Sequence, residues 1–109
     1  MIVDENCKNR FNTAKEKLID YCKKENVRIY KENIIIVFSN DSEFVKNIAL
    51  RISKKCAIIN VTENLSEQHI INTLKYVIDI CYLKTDVNLI ATRIIKAYNR
   101  SNLRLNKVR

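Results

Sequence analysis

No glycine and no proline occur in the 109 residues. Without glycine no glycine-rich loop can cradle a phosphate, which excludes a Walker loop and a dinucleotide-binding fingerprint. Turns must be made by Asn, Asp and Ser, of which Asn tolerates the left-handed region best. Histidine is present once, as His69, and none of the four cysteines stands in a Cys-x-x-Cys pair. Metal-ligand spacing is therefore missing, and no pair of side chains has the pattern of a nucleophile and its base. No enzyme, no metal and no cofactor is expected. Cys7, Cys22 and Cys81 fall on apolar faces and, with Cys56, read as small hydrophobes kept reduced. No apolar run approaches the length of a membrane span. Asp4 and Glu5 occupy the place of a basic leader, and no apolar stretch follows them. The expectation is a soluble intracellular protein, cytoplasmic or nuclear, with no membrane partner.

What is there is one domain's worth of chain, long enough to bury a core without staples. The net charge is +8, and it is uneven. Residues 1–33 hold eight basic and six acidic groups, and residues 34–85 hold six and five. Residues 86–109 hold six basic groups against Asp86 alone, a net of +5. A basic terminal segment on a nearly balanced body is the electrostatic footprint of a partner such as RNA or DNA.

The longest unbroken apolar run, Ile34 to Phe38, predicts a strand covered on both faces. Before it, Cys7, Phe11, Ala14, Leu18 and Tyr21/Cys22 recur at helical spacing and predict a helix over 5–25. Val27 to Tyr30 reads as extended, and 31–33 fits either a turn or the polar start of the central strand. After it, Ser39-Asn40-Asp41-Ser42 offers an N-cap at Asn40 or Asp41. The same hydroxyls and carboxylate could hold a metal or phosphate, but capping explains them without a ligand. A helix over 43–55 follows, then a strand over 56–62, then a turn in which Ser66 caps a helix over 67–83. That last helix carries a wide apolar stripe, too wide for one sheet contact, so Ile71, Leu74, Ile78 and Tyr82 are candidate interface residues. His69, in its first turn and without an evident partner, reads as a surface residue. Residues 85–98 fit a strand by alternation and a helix by the spacing of Val87, Ile90, Ile94 and Ala97. The β-branched run at Thr92–Ile95 and the Asn-Arg-Ser-Asn that follows favour a strand, with Leu103 to Arg109 returning as a hairpin.

The resulting order resembles the Alba superfamily of small nucleic-acid-binding proteins, and most closely its eukaryotic members in ribonuclease P and ribonuclease MRP. The resemblance covers about Val27 to Arg109. It rests on Ala57-Ile58-Ile59-Asn60-Val61 before a helix with Ile70-Ile71-Asn72, and on Tyr98-Asn99-Arg100-Ser101-Asn102-Leu103-Arg104-Leu105. It implies an α/β two-layer β-α-β-α-β-β domain over 27–109, with residues 1–26 as an added helical extension. It also implies a homodimer or a heterodimer with a related subunit, RNA or DNA binding, and a basic hairpin between the last two strands. That hairpin would present Arg93, Lys96, Arg100, Arg104, Lys107 and Arg109 to nucleic acid. Two family features are missing. A lysine-bearing loop after the first strand is replaced by Ser39-Asn40-Asp41-Ser42, and a basic turn before the second helix by Thr62-Glu63-Asn64-Leu65-Ser66. The expected function is an RNA-directed subunit docked on a protein partner and touching nucleic acid through the hairpin. The alternative is an assembly subunit that ignores nucleic acid, which the wide apolar stripe favours.

Overall fold

The computed structural model describes residues 1–25, 34–52 and 56–96. The Ile34–Phe38 run is strand β2, and its neighbour Ala57–Thr62 is β3. Both are rich in β-branched residues, and their inner positions are buried on both faces. They pair in parallel, Ile34 against Ala57 through Phe38 against Val61. Ile2–Val3 (β1) pairs with Val37 and Phe38 on one side, and Asp79–Tyr82 (β4) pairs with Ile59 to Thr62 on the other. All neighbours are parallel and the order is β1-β2-β3-β4. The α/β class expected from the sequence is present.

Among the described residues four helices connect and cover the sheet. Helix α1 is Lys8–Lys24, entered through a 3-10 turn at Glu5–Cys7. Helix α2 is Ser42–Arg51 and α3 is Glu67–Leu74. Residues 87–96 form α4. Period-2 alternation in the strands sorts the core into two halves. Ile34, Ile36, Phe38, Ile59, Val61 and Cys81 face α1 and α4, meeting Phe11, Leu18, Cys22, Ile90 and Ile94. Phe11 and Phe38 stack at 5.9 Å between ring centroids with their planes tilted by 56°, a favoured arrangement. Val37 and Ile58 face the other way, toward Val45 of α2 and Val77 beyond α3. The chain steps across the sheet in one direction, yet α1 and α2 lie on opposite faces. The first two crossovers are thus of opposite hand, although parallel crossovers are nearly always right-handed. The two-residue β1 is where such a departure costs least.

Three expectations change. The strand expected over 85–98 is absent from its described part: 87–96 are helical, with Ile90, Ala91 and Ile94 buried on one side and Asn88, Thr92 and Lys96 exposed. The β-branched content favours a strand only weakly, and an uncovered sheet face outweighs it. The first arm of the basic hairpin is therefore a helix, and residues 97–109, which carry its tip and return arm, lie outside the described residues. So does the extended segment expected at Val27 to Tyr30. Second, the helix expected over 67–83 ends at Leu74, and Tyr82 belongs to β4. Its wide stripe is the sum of a helical face and a following strand, in which Cys81 turns toward α1 and α4 and Ile80 toward α2. Third, residues 1–26 do more than extend the domain, because β1 is an edge of the sheet and Phe11, Leu18 and Cys22 are core.

Candidate functional site

In an open parallel sheet the loops at the carboxyl ends of the strands are the usual place for a ligand. Here those loops follow Val3, Phe38 and Thr62, and a chain of side-chain hydrogen bonds ties them together. Asp4, buried, caps the 3-10 turn by accepting from Asn6 N and accepts from Ser39 Oγ at 2.8 Å. Ser39 Oγ in turn accepts from Asp41 N at 3.0 Å. Asp41 caps α2 by accepting from Glu43 N, and Ser66 caps α3 by accepting from His69 N. Asn40 Oδ1 accepts from Thr62 Oγ1 and from Glu63 N, while Asn64 Nδ2 donates to Asn40 O. The Ser-Asn-Asp-Ser loop is thus held by capping and cross-loop bonds, as its residue types predict.

Beneath these loops sits the buried pair that the sequence reading misses. Asn60 is wholly buried in β3, and His69 is only 3 % exposed, not a surface residue. Asn60 Nδ2 donates to Val37 O at 3.0 Å and to Ser39 O at 3.2 Å. Two carbonyl acceptors fix the amide's orientation and leave Oδ1 in need of a donor. His69 Nε2, 3.0 Å from Oδ1, therefore carries the imidazole proton, and Thr73 Oγ1 stands 3.4 Å from the same nitrogen. Neutral imidazole with its proton on Nε2 keeps a lone pair on Nδ1. Among the described residues no buried side-chain nitrogen or oxygen lacks a partner. His69 is also one of the residues that line a recess beside these loops. The signal available in the sequence was Asn60 itself, a polar residue inside an apolar strand, which has to find a partner.

The recess lies between the first turns of α2 and α3 and has a volume of about 180 Å³. Asp41, Ser42, Ser66, Gln68, His69 and Asn72 line it, with the locked amides of Asn40 and Asn64 at its rim. Among the described residues that line it there is no lysine and no arginine, and Asp41 is the one acidic residue.

Burial lowers the His69 pKa below the ordinary value near 6.5, and the nearby Asp41 charge opposes this only in part. A depressed folded-state pKa means that the unfolded chain binds the proton more readily. The contribution to stability is whole above pH 6.5 and is lost as pH falls through the folded pKa. Because His69 is the only histidine, an NMR titration of its ring reads this directly. The expected midpoint is below 6.5, and a midpoint at or above 6.5 would contradict the burial argument. Burial also pushes the Cys81 thiol up to about 11, which leaves it un-ionised at neutral pH.

The residues expected at a nucleic-acid surface divide. Arg93, on α4, is clamped by Asp79: Nη2 lies 2.7 Å from Oδ1 and Nε lies 3.1 Å from Oδ2. That bidentate pair occupies its guanidinium. Lys96 is exposed on the same helix. Arg100, Arg104, Lys107 and Arg109 lie outside the described residues. Of the expected interface residues, Ile71 and Leu74 are each 52 % exposed and Ile78 is 39 % exposed, whereas Tyr82 is half-buried in β4. Among the described residues no three His, Cys, Asp or Glu side chains are grouped to hold a metal, and no helix is long and apolar enough to cross a membrane. No family model, no curated protein and no solved structure matches this chain.

Proposed function

We propose that this chain is an RNA-directed nucleic-acid-binding protein that acts as a subunit of a dimer or heterodimer, with its C-terminal basic segment meeting the phosphates. The observation that carries the reading is the charge after Asp86: six basic residues and no acidic one. Arg93 is engaged by Asp79, so the contacts fall to Lys96, Arg100, Arg104, Lys107 and Arg109. The reading does not depend on an Alba fold; the family resemblance supports it only over the strand–helix–strand–helix order of β2, α2, β3 and α3. No catalytic role is part of it. Filter binding of the purified protein to single-stranded RNA and to duplex DNA at two salt concentrations tests it. RNA affinity that falls steeply with salt is expected, and binding to neither polymer would overturn it.

A second reading, an assembly subunit without nucleic-acid binding, is favoured by the exposed Ile71, Leu74 and Ile78 on and just after α3. Apolar surface of this kind gains on the order of 25 cal/mol per Å² when a partner covers it. Sedimentation at micromolar concentration is expected to give a dimer, and Ile71→Asp with Leu74→Asp is expected to return it to monomer. A wild-type protein that stays monomeric would remove self-association through this face.

A further inference from the structure

Helix α3 is turned inside out relative to an ordinary amphipathic helix. The side chains it buries are polar: His69 bonds Asn60 of β3, and Thr73 bonds His69. Its Ile71 and Leu74 are exposed instead, and none of its residues joins either core cluster of the described residues. Leu65, just before the Ser66 cap, and Ile78, beyond the helix, are exposed at its two ends. An apolar face that the protein's own core does not use marks an interface. The charges beside it say what covers it. Glu67, Ile71 and Lys75 stand four residues apart and form one row along α3, from its first residue to its C-cap. All three are exposed, and among the described residues neither Glu67 nor Lys75 has an ion-pair partner in its own chain. The row runs acid, apolar, base, and such a row is its own complement when reversed.

We propose that a second copy of this chain covers α3, with the two α3 helices antiparallel about a twofold axis that passes by Ile71. In such an isologous contact residue i meets j and j meets i, so each Glu67 carboxylate meets the partner's Lys75 and the pair forms twice. A parallel pairing would set Glu67 against Glu67 and Lys75 against Lys75, which costs energy at both ends. Antiparallel pairing also opposes the two helix dipoles and brings Leu65 toward the partner's Ile78. The apolar residues supply the affinity, while the exposed ion pairs add little to it and fix the register. Asn60 alternates with Ile59 and Val61, so α3 lies on the α2 face of the sheet and the pairing leaves α4 uncovered on the other. The inference rests on the proposed dimeric state, and it names the partner as an identical chain and the contact as α3 on α3.

Sedimentation of the wild type, of Glu67→Lys, of Lys75→Glu and of an equimolar mixture of the two variants tests the register. Each variant alone sets like charges together twice and is expected to weaken the dimer about tenfold. The mixture restores opposite charges at both contacts and is expected to dimerise about as tightly as the wild type. Circular dichroism checks that the variants are folded. A second test does not depend on them. Ile71 faces its own symmetry mate, so Ile71→Cys is expected to cross-link the dimer on mild oxidation. The wild type, with its four free cysteines, and Leu50→Cys on α2 are expected not to. Folded variants whose mixture shows no recovery would overturn the antiparallel register, and absence of the Ile71→Cys cross-link would overturn the α3 pairing altogether. In either case a wild type that still sediments as a dimer keeps the dimeric reading, and a monomeric wild type overturns that reading as well.

Discussion

Replacing Asn60 with leucine is expected to lower folding stability by about 3 kcal/mol. The side chain is wholly buried and its polar atoms are all bonded. Nδ2 donates to Val37 O and Ser39 O, and Oδ1 receives His69 Nε2. Leucine fills a similar space but leaves the buried imidazole N–H with only the more distant Thr73 Oγ1, 3.4 Å from Nε2. An unsatisfied buried donor costs its full desolvation, on the order of 1–3 kcal/mol, and two carbonyls lose a donor as well. In a domain of this size the loss corresponds to a fall in Tm of about 15 °C. Replacing His69 by leucine together with Asn60 removes the orphaned donor, so the double variant is expected to recover a good part of the loss. Urea denaturation of the wild type, both single variants and the double variant gives the coupling. A loss below about 1 kcal/mol for Asn60→Leu, or strictly additive effects, would mean that the pair does not hold the loops.

The second large effect is on RNA affinity. Arg100, Arg104, Lys107 and Arg109 changed together to glutamine remove four positive charges from the end of the chain. Each phosphate contact on a single strand contributes about 0.7 to the slope of log affinity against log salt. The quadruple variant is therefore expected to lose about 3 from that slope and about a hundredfold or more in affinity at low salt. Lys23 and Lys24 supply the comparison. They end α1, where cations suit the helix dipole, and the helix interleaves its lysines with Glu16 and Asp20. Changing that pair to glutamine is expected to move the slope by less than about one. A larger effect from Lys23 and Lys24 than from the terminal four would relocate the binding surface to α1 and remove the main physical support for the C-terminal assignment.

Both effects depend on residues whose type is plain in the sequence and whose surroundings are not. Periodicity alone identified β2, α2, β3 and the start of α3, because each is bounded by a change of period or by a cap: Asp41 for α2 and Ser66 for α3. The N-terminal helix was legible for the same reason, from Phe11, Leu18 and Cys22 on one face. Local pattern failed where two elements run together without a breaker. The chain has no glycine or proline to mark where α3 stops, so Lys75 to Tyr82 read as more helix when it turns and becomes β4. It also failed at 85–98, where the β-branched residues pointed one way and the needs of the sheet the other.

The sequence by itself determined an α/β domain with a basic end, built without a phosphate loop or a cysteine motif, because composition and period depend only on neighbours along the chain. Tertiary structure alone decided that β1 closes one edge, that residues 87–96 coil to cover the face opposite α2, and that Arg93 meets Asp79. It alone also brought His69 to Asn60, since that contact joins a helix to a strand. A buried polar residue announces in the sequence that it needs a partner. Which partner it takes depends on the strand order and on which face each helix crosses, and neither is encoded in local spacing.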